Sequence, residues 1–181
     1  VDIREAYIAD HHKDTLIYSK ELQTNLLNIE NLIKGNLDLG AVFLDHAKLY
    51  VKTYKGEDND NLSIFANKFS TGKPPTGEPF TLFSTQVTLT NGTIKVIDEN
   101  LETPELVVLT GVNLEADDFE IIDVDIKAEI NKLALKTDWG IEIKDLQGDF
   151  DYTATEISLK NMMLATEKSK LNGEISLDYS K

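Results

Sequence analysis

The stretch "LQGDFDYTATEISLKNMMLATEKSKLNGEISLDYS", residues 146–180, decides the fold. Phe150, Tyr152 and Ala154 alternate with charged and hydroxyl residues. Ile157 and Leu159 take up the same beat one position out of step, and Leu171, Gly173, Ile175, Leu177 and Tyr179 resume it. Successive side chains of a strand point to opposite faces, so a period of two marks strands with one apolar and one wet face. Such one-sided strands either close against a second sheet as a sandwich or leave an open apolar groove.

Outward from this stretch the beat continues over almost the whole chain. Strands are predicted at Val1–Ile8, Asp14–Leu26, Leu37–Thr53, Thr81–Asp98, Leu106–Ala116, Asp118–Lys136, Ile141–Leu146, Gly148–Ala154, Glu156–Leu164 and Lys170–Tyr179. Gly, Asn, Asp and Pro punctuate them, and the short connectors predict a meander of antiparallel neighbours. The apolar parity slips between Ile130 and Leu133, between Ile143 and Leu146, and between Ala154 and Ile157. A slip inside paired strands needs a bulge, bend or turn to keep one face apolar, so the sheet should be twisted and coiled rather than flat. Units such as "LTNGTIKVI", "KTDWGIEIKDL" and "KLNGEISLDY" suggest a loosely repeating array.

Two stretches depart from the period of two. "LLNIENLIKGN" spaces Leu26, Ile29 and Ile33 as a short helix that ends at Gly35. "DNDNLSIFANKF" offers Asp60 and Asn61 as N-caps, with Leu62, Phe65, Ala66 and Phe69 on one helical face. Residues 70–79, "STGKPPTGEP", form a Pro-rich loop. The chain reads as a single β-rich segment over 1–181, and its opening "VDIREAYIAD", already in strand rhythm, predicts that it belongs to a longer protein.

Charge and composition narrow the function. The 181 residues carry 18 Lys and Arg against 32 Asp and Glu, a net charge of -14. That sign opposes binding to a phosphate backbone, so nucleic acid is not an expected partner. The absence of cysteine removes disulfides, thiol catalysis and thiolate metal sites, and suits an oxidising compartment. No stretch approaches the 18 apolar residues of a membrane-spanning helix.

No catalytic constellation emerges. The chain contains no nucleophile elbow, phosphate loop or dinucleotide fingerprint, and no enzymatic role is assigned. His11 and His12 are adjacent, so on a strand they would diverge; a zinc site would need His46 or a carboxylate brought in from elsewhere. The histidines therefore read as a solvated turn, and His46 as a strand residue on the wet side. "GEDNDN" and "ADDFEIIDVD" lack the central Gly and distant Glu of a calcium loop. Asn61 and Asn91 head glycosylation-like triplets, and Trp139 stands at a turn with its indole expected to pack at a hairpin end. No metal or other cofactor is predicted.

Four phrases carry a resemblance: "DTLIYSKELQTNL" at 14–26, "AKLYVKTYKGEDNDNLSIFANKF" at 47–69, "LTNGTIKVIDENLETPE" at 89–105 and "LNGEISLDY" at 171–179. In combination and order they resemble the TamB/AsmA-like proteins of the Bacteroidota envelope, the N-terminal side of such a chain. The resemblance implies a periplasmic protein held in the inner membrane by an N-terminal helix outside this segment. It implies strands coiled into a U-shaped, taco-like apolar groove that shields phospholipid acyl chains in transit between membranes. The alternative implied role is a scaffold for outer-membrane protein assembly with an Omp85-type barrel partner. A β-rich enzyme or carbohydrate-binding domain ranks last, because a single Trp and dispersed Tyr make a poor sugar platform.

The resemblance turns the choice from sandwich to groove. The lining is then the apolar parity set: Leu49, Val51, Val87, Leu89, Ile94, Val96, Leu133, Leu135, Ile141, Ile143, Phe150, Tyr152, Ile157, Leu159, Leu171, Ile175 and Leu177. The same residues would serve a closed core.

Overall fold

A computed structural model describes residues 1–25, 36–65, 81–123 and 125–178. Their strands form one eleven-stranded sheet. In chain order these are β1 (Asp2–Ala9), β2 (Thr15–Thr24), β3 (Asn36–Asp38), β4 (Ala41–Asp45), β5 (Lys48–Thr53) and β6 (Thr81–Asp98), then β7 (Glu105–Ile122), β8 (Asp125–Thr137), β9 (Glu142–Tyr152), β10 (Glu156–Thr166) and β11 (Lys170–Asp178). The mostly-β expectation holds.

From β6 to β11 the chain is a plain antiparallel meander. The N-terminal third is not. The predicted strand Leu37–Thr53 divides into β3, β4 and β5, successive pieces of one broken strand, and all three run parallel to β6. On their other side β4 and β5 pair antiparallel with β2. A parallel pair needs a long crossover, and the 27 residues between β5 and β6 supply it. The expectation of antiparallel neighbours throughout is corrected here, because that long connector lets the chain return in the same direction.

Two other boundaries move. The predicted break at residue 117 does not exist: β7 runs on to Ile122, and the turn falls just before Asp125. The strands predicted on either side of Gln147 are one strand, β9. Residues 61–65 are helical, capped as expected by Asp60, whose carboxylate accepts the Ser63 amide (2.8 Å) and hydroxyl (2.6 Å). The other predicted helix, at 26–33, and the Pro-rich loop at 70–79 lie outside the described residues.

Bulges explain how strands as long as 18 residues keep one face apolar. Residues with positive φ interrupt or separate strands at Glu5, His46, Asn91, Asp118 and Asn161, and glycines do so at Gly40, Gly111 and Gly148. The pairing shifts beside several of them, between Leu89 and Gly92, between Asp117 and Glu120, and between Leu159 and Met162. The slip predicted between Ile130 and Leu133 is a bulge in β8, whereas the one between Ala154 and Ile157 is the β9–β10 turn.

Side chains complete the hydrogen bonding that the bulges disturb. The buried Ser84 hydroxyl donates towards the carbonyls of Gly40 (2.6 Å) and Gln86 (2.9 Å), and Ser19 donates towards those of Glu21 (2.6 Å) and Asp45 (3.2 Å). Asn113 accepts the Asn91 amide (3.1 Å) and donates to the Gly111 carbonyl (2.9 Å), so one amide serves bulges on two neighbouring strands. Unmet polar groups away from water are costly, and these bonds make the bends tolerable.

Every substantial contact between described strands is with a hydrogen-bonded neighbour. No described strand packs extensively face to face on another, and β1 and β11 stand at opposite ends of the strand order. Among the described residues the sheet is thus a single layer. The accessible surface of the chain, 11542 Å², exceeds the value of about 8,800 Å² typical of a folded monomer of this mass.

Candidate functional site

Residues directly paired across strands share a face, so the register shows which side chains form continuous tracks. One track crosses the nine strands of the main path with one aliphatic residue each: Ile3, Leu22, Leu44, Leu89, Leu114, Leu133, Leu146, Leu164 and Leu171. At about 4.8 Å between strands, it is about 38 Å long. Shorter tracks flank it on the same face. Ile8, Ile17, Leu49, Ile94 and Leu109 form one, and Ile121, Ile126, Tyr152, Ile157 and Leu177 another.

Most of the predicted lining falls on this face. Leu49 and Val51 lie on β5; Val87, Leu89, Ile94 and Val96 on β6; Leu133 and Leu135 on β8. Ile143, Phe150 and Tyr152 lie on β9, Ile157 and Leu159 on β10, and Leu171, Ile175 and Leu177 on β11. Ile141 is the exception: it sits in the β8–β9 turn and is exposed. Leu135 is buried, the β11 trio is exposed, and the others are half-buried.

The sequence reading missed Ile3, Leu22, Leu44, Leu114, Leu146 and Leu164, six of the nine members of the long track. Their alignment depends on cross-strand register. The available signal was the bulge-prone Gly111 and Asp117–Asp118 in "ELVVLTGVNLEADDFEII", which restore parity within β7.

The opposite face carries a line of charged residues. Asp117, Glu129 and Asp149 are paired in line, with Lys160 opposite Asp149. Asn131 donates to Asp117 (2.8 Å) and Asn161 to Asp149 (2.6 Å), two bulge asparagines tied to the neighbouring strand by the same device. A shallow hollow bounded by Phe83, Glu120, Lys127, Glu129 and Lys160 mixes both signs of charge and converges on no single point.

A compact polar knot stands at the β1–β2 turn. The buried Asp10 carboxylate accepts the backbone amides of His12 (2.9 Å) and Asp14 (3.0 Å), the Tyr54 hydroxyl (2.7 Å) and the Asn61 side-chain amide (2.8 Å). Burial pushes the Asp10 pKa up, but the donors from Asn61, Tyr54 and the two amides outweigh it and hold the group below the usual carboxylate range. Burial, then the Asp10 and Asp14 carboxylates, push the Tyr54 phenol far upward. Asn61 is 1% exposed, which makes its triplet unavailable to a glycosylating enzyme in the folded chain.

His46 and Trp139 differ from expectation, whereas the exposed turn expected for His11 and His12 is present. His11 and His12 lie in a turn, where the alternation of a strand does not apply, and both direct Nε2 to Glu57. His46 is not within a strand; it occupies the bend between β4 and β5 with positive φ, its Nδ1 2.8 Å from Asp45. The Trp139 indole is 60% exposed rather than packed, because one layer offers no second surface at the hairpin end.

Comparison with protein families, curated proteins and solved structures gives no match. Among the described residues no helix is long and apolar enough to cross a membrane.

Proposed function

We propose that this chain is a segment of a TamB/AsmA-like periplasmic bridge whose aliphatic face, coiled as a trough, carries phospholipid acyl chains between inner and outer membranes. The observation that carries this reading is the nine-residue aliphatic track on a single layer of sheet. A protein with so continuous an apolar surface, and no described element packed over it, needs an apolar occupant. An acyl chain gains about 0.8 kcal/mol per methylene removed from water. A track of about 38 Å exceeds the ~15 Å of one leaflet's hydrocarbon, so it accommodates chains end to end.

The chemistry is non-enzymatic. Neighbouring positions along the track are nearly equivalent, so advancing by one strand exchanges one set of aliphatic contacts for another at little net cost. No group converges on a headgroup, which leaves the lipid free to slide.

The test is photo-crosslinking in cells producing the protein, with a photoreactive residue at Leu159 or at its polar-face neighbour Lys160. Labelled phosphate on the protein at position 159 alone is expected. Absence of label at both, with the Leu159 probe lowering the melting temperature, would mean a sealed core and overturn the reading.

A second reading rests on β11, whose nine residues are all exposed and which stands at the end of the sheet, with no described strand beyond its outer edge over residues 170–177. Such an edge can accept a client strand, as a scaffold for outer-membrane protein assembly with an Omp85-type partner would require. A proline at an outward-facing amide of β11 then abolishes client binding and leaves lipid content unchanged.

A further inference from the structure

We propose that His11, His12 and Glu57 form a binding site for a divalent transition-metal ion, zinc by the chemistry of its donors. This is independent of the lipid reading. His11 Nε2 lies 2.9 Å from one Glu57 oxygen and His12 Nε2 lies 2.7 Å from the other. All the donor atoms fall within 4.8 Å of one another. Two imidazoles and a carboxylate suit zinc, copper or nickel, whereas calcium and magnesium demand a shell of oxygens. Three protein ligands leave a fourth position for water.

The scaffold beneath these groups is held in place without any ion. Asp10 fixes the turn through the His12 and Asp14 amides. The Tyr54 ring stacks on His12 with centroids 3.8 Å apart and meets His11 edge-on at 5.5 Å, while its hydroxyl is anchored by Asp10 (2.7 Å) and Asp14 (2.8 Å). Glu57 is positioned from its backbone: its amide donates to the Tyr54 carbonyl (3.0 Å), and its own carbonyl accepts the Asn100 side-chain amide (3.1 Å). Asn100 in turn accepts the Gly56 amide at 2.8 Å. The nearby Lys52 is engaged by Glu99 (2.8 Å) and Asp14 (3.7 Å) rather than by Glu57.

Binding requires a small rearrangement. Each Nε2 must present a lone pair, so the proton it shares with Glu57 moves to Nδ1 or to solvent and the ion takes its place. Ligand atoms around tetrahedral zinc stand about 3.3 Å apart, so the contact to whichever Glu57 oxygen takes the ion opens by about half an ångström, while the other imidazole moves from the second oxygen to the ion. The ion would then join the β1–β2 turn to the segment after β5, groups 45 and 46 residues apart in sequence.

The experiment is calorimetric titration of the whole chain with zinc chloride, paired with cobalt(II) absorption as a report on coordination. The expected result is one ion per chain, an intense four-coordinate cobalt band displaced by zinc, and a raised melting temperature. His12→Gln and Glu57→Gln should each weaken binding at least tenfold, while His46→Gln leaves it unchanged. Circular dichroism checks that the variants fold, as expected for side chains at the exposed rim of the knot. No saturable zinc binding, or binding indifferent to His12→Gln and Glu57→Gln, overturns the proposal, the second outcome identifying an adventitious ion only.

Discussion

Gly148 shows most directly what single residues contribute to the bent sheet. It lies in β9 opposite Ile130, at φ 149°, and a Cβ there would meet the Lys160 carbonyl oxygen of β10 at 2.7 Å. Backbone cannot yield as a flexible side chain can, so Gly148→Ala combines φ strain with a main-chain collision and should cost about 2–3 kcal/mol. For a chain of this size that is a fall of about 4–12 °C in melting temperature, measurable by thermal denaturation. Gly111 makes the contrasting case: nothing lies within 4 Å of its Cβ position, so its alanine variant meets only the penalty of φ 57° and should lose about 1–2 kcal/mol. Both glycines were visible in the sequence. Which one stands against a neighbouring strand was not, because that depends on β10 being beside β9.

Among the elements, the β1–β2 hairpin is attached through a buried carboxylate. Asp10 joins it to Tyr54 and Asn61, and its pKa is depressed in the folded chain. A depressed carboxylate contributes stability that is fully present above its unfolded value, near 3.8, and is lost as pH falls through the lower folded value. Amide exchange in β1 and β2 should therefore accelerate below about pH 4 relative to β7 and β8, and Asp10→Asn should abolish that difference between the hairpin and the central strands. The strands themselves were legible from alternation, and the Asp60 cap from the helical spacing that follows it. The parallel course of β3 to β5 was not, since two strands of the same sequence pattern can pair in either direction and only the connector decides. The knot was hidden for a related reason: Asp10, Tyr54 and Asn61 are separated by 44 and 51 residues, and no local period relates them.

At the scale of the whole molecule, the single layer that the described strands form has to earn its stability from neighbours in the plane and from whatever covers its apolar side. Leu146→Lys places an ammonium mid-track, between Leu133 and Leu164. It should reduce copurified phospholipid, measured by mass spectrometry, while a lysine at the polar-face position Gln147 leaves lipid content as it is. Alternation in the sequence was enough to assign most of the predicted lining residues to a common face, but alternation alone favoured a closed sandwich over an open groove. The register adds that the described strands form one layer, with no described strand packed face to face on it. The long aliphatic track has a further consequence, one of redundancy. Each of its nine positions asks only for an aliphatic side chain of the right parity, and any branched or straight hydrocarbon meets that demand. Information is spread thinly over many interchangeable sites, so two such chains can share an architecture while spelling it in unrelated words.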